Sequence, residues 1–170
     1  MNIFLVGYMG SGKTTLGKQL AQALDYSFVD QDSVIEEKMG MTIADIFSLM
    51  GEPKFREIEH QTLADLSNGD NMVVATGGGA PCYFDNMELM NKGGVSIYLK
   101  VSTQTLFQRL RLAHLKRPLI RNKSDKELVA FIDSKMIERE PFYSKSTITI
   151  QSDDILLSDI QNALREYPKK

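Results

Sequence analysis

Cysteine is nearly absent from this chain. Cys82 stands alone among 170 residues, which excludes an internal disulfide and any cysteine-rich metal site. Excess charge of either sign is also missing. Twenty Lys+Arg against 22 Asp+Glu give a formal net charge of -2. That balance disfavours a partner such as nucleic acid or anionic lipid, which is held by bulk charge. No apolar run approaches the ~18 residues of a membrane span. Met1 and Asn2 run straight into Ile3-Phe4-Leu5-Val6, with neither a basic leader nor a cleavage-site pattern. Internal repeats, low-complexity tracts and long linkers are lacking too. What is present is 42% hydrophobic and 25% charged, the usage of a folded chain. Its length suits one domain, residues 1–170, able to bury roughly 70% of its unfolded surface. The expectation is a monomeric, cytoplasmic protein.

Short apolar runs alternate with helix-period segments. Strands are expected at 3–6, 28–30, 72–75, 95–99 and 147–150. Leu16, Leu20, Ala23 and Leu24 recur with helical spacing, as do Leu157, Ile160 and Leu164. Thr42-Ile43-Ala44-Asp45 has the form of a capping box, and Pro53 just past Gly51 suits the first turn of a further helix. Such alternation predicts an α/β fold, a five-stranded parallel sheet with helices on both faces. Ligands of such sheets gather at the carboxyl ends of the strands.

Gly7-Tyr8-Met9-Gly10-Ser11-Gly12-Lys13-Thr14 fits G-x-x-x-x-G-K-[ST] at every fixed position, between an apolar strand and an amphipathic helix. Glycines let successive backbone N–H groups turn inward around an anion, and the helix N-terminus adds partial positive charge. Lys13 can reach the β- and γ-phosphates, and the Thr14 hydroxyl can ligate Mg²⁺. The motif therefore points to a nucleoside triphosphate, with Gly10, Ser11, Gly12, Lys13, Thr14 and Thr15 around it.

A Walker-B aspartate is missing where many such proteins carry it: the third strand ends in Thr76-Gly77-Gly78-Gly79 and the fourth in Leu99-Lys100. The second strand supplies carboxylates instead, in Asp30-Gln31-Asp32. Two residues apart in an extended segment, Asp30 and Asp32 would project to one side. One would serve the Mg²⁺ shell and the other face a hydroxyl acceptor; an N-cap aspartate with a solvated neighbour is the plainer alternative. Asn122-Lys123-Ser124-Asp125 matches the guanine-reading N-K-x-D, but no D-x-x-G accompanies it and it reads as coincidence. Three consecutive glycines suit a ligand lying against main-chain N–H groups, although a connector before Pro81 would also use them.

Arginine narrows the substrate class. Arg56 sits on the helix that begins near Glu52, and Arg139 sits at a helix end. Between Arg109 and Lys123 the chain holds six Lys/Arg, at 109, 111, 116, 117, 121 and 123, and no acid. Beside a phosphate loop that concentration reads as an anion-closing lid, about 112–125, rather than a solvated basic face.

Together these stretches resemble the shikimate kinase family over nearly the whole chain. The match rests on residues 7–15, Asp30-Gln31-Asp32, Thr42 to Phe47, Gly51-Glu52, Phe55-Arg56 with Glu59, the glycine triplet, Arg117-Pro118-Leu119 and Arg139-Glu140-Pro141-Phe142-Tyr143. The resemblance implies a P-loop kinase fold with an acceptor-binding segment at about 31–61. The implied reaction is ATP-dependent, Mg²⁺-requiring phosphorylation of the shikimate 3-hydroxyl, in aromatic amino-acid (chorismate) biosynthesis. It implies Asp32 as base, Lys13 and Arg117 as charge neutralisers, and Asp30 as organiser of the metal's water shell. Arg56 and Arg139 would grip the acceptor carboxylate, Gly77, Gly78 and Gly79 would lie against the acceptor, and Phe47 and Phe55 would form the wall under its ring. The family's adenine-side arginine falls by offset on Leu110; of its neighbours Arg109 and Arg111, Arg109 is the choice. The segment Gln151-Ser152-Asp153-Asp154 carries no distinctive motif. Competing readings are a kinase of gluconate or a nucleoside monophosphate, and a nucleotide-binding switch that phosphorylates no metabolite.

Overall fold

A computed structural model describes residues 1–112 and 123–168. Five parallel strands form one sheet: β1 (Asn2–Val6), β2 (Ser27–Asp30), β3 (Met72–Ala75), β4 (Gly94–Lys100) and β5 (Ile148–Gln151), in the spatial order β2-β3-β1-β4-β5. Each begins and ends within one residue of its expected position. Strand β1 is buried along its whole length. A central parallel strand is covered on both faces, hence its unbroken apolar run.

Helices α1 (Lys13–Leu24), α2 (Gln31–Met39), α3 (Ile43–Ser67), α4 (Asn86–Gly93), α5 (Thr103–Leu112), α6 (Asp125–Tyr143) and α7 (Leu157–Glu166) cover the sheet. The buried face of α1 is Leu16, Gly17, Leu20 and Ala21. Ala23, expected on that face, is exposed. Gly17 sets the approach: a Cβ there would lie 2.7 Å from the Phe28 ring, so the helix can sit this close to the sheet only without a side chain. Thr42 caps α3 by accepting from the Asp45 amide at 3.1 Å. Within α3, Gly51 leaves helical geometry at φ 79°, so the chain turns before Glu52-Pro53 and restarts. Ser124 and Glu127 form a reciprocal capping box opening α6. Ser124-Asp125 thus serves a helix start, which accords with reading the N-K-x-D match as coincidence; Asn122 lies outside the described residues.

Strands β1 and β3 are neighbours whose onward connections leave in opposite directions, one toward β2 and the other toward β4. At such a switch point the connections diverge and leave a crevice at the strands' carboxyl ends. Pairing of Leu5 with Ala75, and of Asp30 with Ala75, brings the phosphate loop, Asp30 and the glycine triplet to that one edge. Among the described residues no helix is long and apolar enough to cross a membrane.

Candidate active site

The phosphate loop joins β1 to α1. Gly10 (φ 83°) and Gly12 (φ 101°) occupy the left-handed region that other residues avoid. Gly12 is the N-cap of α1 and has no side chain to cap it, so the first-turn amides stay turned toward the loop. Lys13 arches back over it, its Nζ donating to Gly7 O at 2.7 Å and Tyr8 O at 3.0 Å. Ser11 Oγ is buried without a hydrogen-bond partner among the described residues. A buried hydroxyl beside inward amides suits a phosphate oxygen.

A cleft of about 720 Å³ runs from this loop past Asp30, Asp32 and Gly78 to Arg109 and Ile155. Arg109 is held in its wall, donating to Gly10 O and Asp153 O, each at 3.0 Å. Arg111 turns away to an exposed pair with Asp125 at 3.5 Å. Of the two arginines left open by sequence spacing, only Arg109 lies on the cleft. The segment after β5 enters through a main-chain carbonyl, which explains why it carries no side-chain motif. Arg117 and most of the 112–125 stretch lie outside the described residues.

Asp30 and Asp32 reach one cleft, but not along one strand. Strand β2 ends at Asp30, and Asp32 stands in the first turn of α2. The expected extended segment is therefore corrected: Asp30 accepts from the Ser33 amide at 3.3 Å as the N-cap, and the chain turns there. The N-cap alternative therefore holds for this residue. Its other oxygen accepts from the Thr14 hydroxyl at 3.2 Å. Burial, then the nearby Asp30 charge, raises the Asp32 pKa, and Lys13 pulls it back.

Arg56 is almost buried. It donates to Glu59 Oε2 at 2.8 Å and to Glu52 Oε1 at 3.1 Å, and lies 4.1 Å from the Tyr83 ring centre. Burial opposes its charge, but Glu59 and Glu52 outweigh this and keep its pKa raised. Phe47 and Phe55 pack 4.5 Å apart beside it. Arg139 lies over the Tyr8 ring at 5.3 Å and is hydrogen-bonded to Tyr143.

The glycine triplet lies among these groups. A Cβ on Gly79 would come within 2.6 Å of Arg56 Nη1, and one on Gly78 within 3.3 Å of Arg139 Nη1. Both arginines therefore face the triplet. Gly77 differs from its neighbours: its N–H already donates to Gln31 Oε1 at 3.0 Å. A Cβ there would meet Glu59 Oε1 at 2.7 Å. Its part is to leave room for Glu59 and Asp32. Gln31, fully buried, also donates to Glu59 O at 3.0 Å and so ties α2, α3 and the triplet together. Sequence reasoning passed over it. The available signal was an uncharged polar residue between two aspartates at a strand end.

A parallel sheet, a phosphate loop opening its first helix, and two arginines facing the glycine triplet at the same crevice are the layout of a P-loop kinase of small molecules. The comparisons with known proteins make the class specific. A family model described as shikimate kinase matches residues 9–166, so the chain belongs to the shikimate kinase family. It is 46% identical to the shikimate kinase of Parabacteroides distasonis over 166 residues, 95% of this chain and 96% of that one. The crystal structure of shikimate kinase from Bacteroides thetaiotaomicron superposes with a TM-score of 0.93 at 40% identity, covering 97% of this chain and 98% of that one. Shikimate kinase from Acinetobacter baumannii in complex with shikimate gives a TM-score of 0.83 at 35% identity, over 96% and 90% of the two chains.

Proposed function

We infer that this protein transfers the γ-phosphoryl group of ATP to the 3-hydroxyl of shikimate, giving ADP and shikimate 3-phosphate on the way to aromatic amino acids. One observation carries the reading: Arg56 and Arg139 both border the glycine triplet, while Asp32 lines the cleft of the phosphate loop. An acceptor carboxylate bound by the arginines sets a ring hydroxyl toward Asp32.

Each residue then has a physical task. The guanidinium groups of Arg56 and Arg139 bond the carboxylate in a planar, charge-assisted manner. Phe47 and Phe55 support the apolar face of the ring. Among the described residues the amides of Gly78 and Gly79 have no hydrogen-bond acceptor, which leaves them for acceptor oxygens. Asp32 receives the hydroxyl proton. The transition state is loose, so alignment of that hydroxyl matters more than base strength. Lys13, with Arg117, offsets charge on the transferring group. Arg109 contributes to the nucleotide side, and amides from Gly10 to Thr15 hold the phosphates.

The pair Thr14 and Asp30 fits Mg²⁺: a hydroxyl and a carboxylate 3.2 Å apart suit a hard cation that keeps most of its waters. Held there, Mg²⁺ would offset negative charge on the phosphates. Thr14 would ligate it directly and Asp30 through water. We further propose that the protein acts as a cytoplasmic monomer without nucleic-acid or membrane partners, which accords with its near-balanced charge.

ADP release with Mg²⁺, measured with and without shikimate and with gluconate and a nucleoside monophosphate as controls, tests the reading. Strong stimulation by shikimate alone is expected. Stimulation by a control acceptor, or by none, would overturn it.

A further inference from the structure

The last turn of α6 carries Arg139 and contains Pro141. Proline has no N–H to donate to the Ile137 carbonyl one turn back, and its ring crowds that carbonyl. The turn that aims Arg139 is therefore weak as an isolated piece of helix, and side chains secure it from outside. Glu140 Oε2 accepts from the Tyr98 hydroxyl at 2.6 Å, and Glu140 Oε1 accepts from Lys100 Nζ at 2.5 Å. Ser144 Oγ adds a longer bond to Oε1 at 3.4 Å. Burial works against the carboxylate, but Lys100 and Tyr98 hold its pKa below the usual value.

Both distant partners belong to β4, and Tyr98 is in register with Val6, the last residue before the phosphate loop. Tyr143, three residues beyond Glu140, donates to Gly78 O at 2.5 Å. Its ring packs on that of Tyr98 at 5.1 Å. The turn bearing Arg139 is thus clamped at one side to the strand beside the phosphate loop and at the other to the glycine triplet.

We propose that Glu140 is a positioning residue for phosphoryl transfer: by pinning the Arg139 turn to Tyr98 and Lys100, it sets the distance between the acceptor-carboxylate grip and the phosphate loop. The proposal rests on the shikimate reading above. Glu140 does not line the nucleotide cleft, so its effect is exerted through Arg139. Only a carboxylate serves both partners, because it accepts on both oxygens. A glutamine would keep one bond and turn an NH₂ group toward Lys100.

The test compares wild type, Glu140→Gln and Tyr98→Phe on shikimate and on shikimate methyl ester, which lacks the charge that Arg139 would grip. With shikimate, Glu140→Gln should raise the acceptor Michaelis constant about tenfold, Tyr98→Phe somewhat less, and the Michaelis constant for ATP should hold. With the ester, all three proteins should agree within about twofold. Equal losses on both acceptors would reduce Glu140 to a stabilising contact and overturn the proposal, as would variants indistinguishable from wild type on shikimate. Should Glu140→Gln fail to fold, Tyr98→Phe, which retains the ring packing, decides by the same comparison. A wild-type protein that shikimate does not stimulate would overturn the function itself, an outcome visible before any variant is made.

Discussion

The Thr14 hydroxyl donates to the Asp30 carboxylate at 3.2 Å, joining the first turn of α1 to the N-cap of α2. Two helix starts that follow different strands thereby bring a hydroxyl and a carboxylate oxygen side by side. The metal proposal rests on this contact; among the described residues no cluster of three or more His, Cys, Asp or Glu could hold an ion. Mg²⁺ commonly needs only one or two protein oxygens, with phosphates and waters completing its shell.

Asp30→Asn retains an acceptor for the Ser33 amide, so stability should change by only a few tenths of a kcal/mol. The Mg²⁺ concentration for half-maximal rate should rise about tenfold, the usual effect of losing a partner in the outer shell. A Mg²⁺ titration of ADP release checks this. An unchanged titration would move the metal elsewhere.

Asp32→Asn should lower turnover at least about 100-fold while ATP binding persists. The variant should also melt higher at neutral pH. The Asp32 pKa is raised in the fold, by burial first and Asp30 second. A raised pKa means the folded state holds the proton more tightly than the unfolded state. The associated stability is complete below the unfolded pKa and is lost as pH rises through the folded one. At neutral pH the charge is therefore a burden that Asn removes. By the same sign, the acid limb of turnover should lie above that of an ordinary aspartate, and Asp30→Asn should shift it down. Thermal melts and a pH–rate profile check both statements.

Gly79→Ala introduces a methyl group 2.6 Å from Arg56 Nη1, so the guanidinium must move. The acceptor Michaelis constant should rise about tenfold or more, with ATP binding little changed. An unaffected acceptor constant, measured at saturating ATP, would show that Arg56 need not hold this position.

Arg139→Ala should weaken acceptor binding by about 2–5 kcal/mol, the loss expected when one member of a desolvated charge pair is removed. Calorimetric titration with shikimate reads it directly. No change would relocate the carboxylate site.

Much of the architecture was legible because its determinants are local. The phosphate loop is one continuous motif, β1 an unbroken apolar run, and the Thr42 cap and the turn at Gly51 depend on neighbours within a few residues. Asp32 was placed at the cleft for a partly mistaken reason: an extended reading ignored that Asp30, as an N-cap, starts a helix at once. Arg109 and Arg111 were equivalent by spacing, since each flanks the expected offset. Contacts more than 40 residues along the chain separate them, Arg109 meeting Asp153 O and Gly10 O.

By itself, then, the sequence determined what is written in short windows: strand and helix order, the anion-binding loop, and the residue types for phosphoryl transfer to an anionic hydroxy-compound. Tertiary structure decided which of those residues face one another. Gln31 bridges Glu59 and Gly77, and Glu140 joins Tyr98 and Lys100, because sheet register and helix packing bring distant segments within hydrogen-bond reach. Those contacts depend on distances of about 3 Å, which no pattern of residue types encodes.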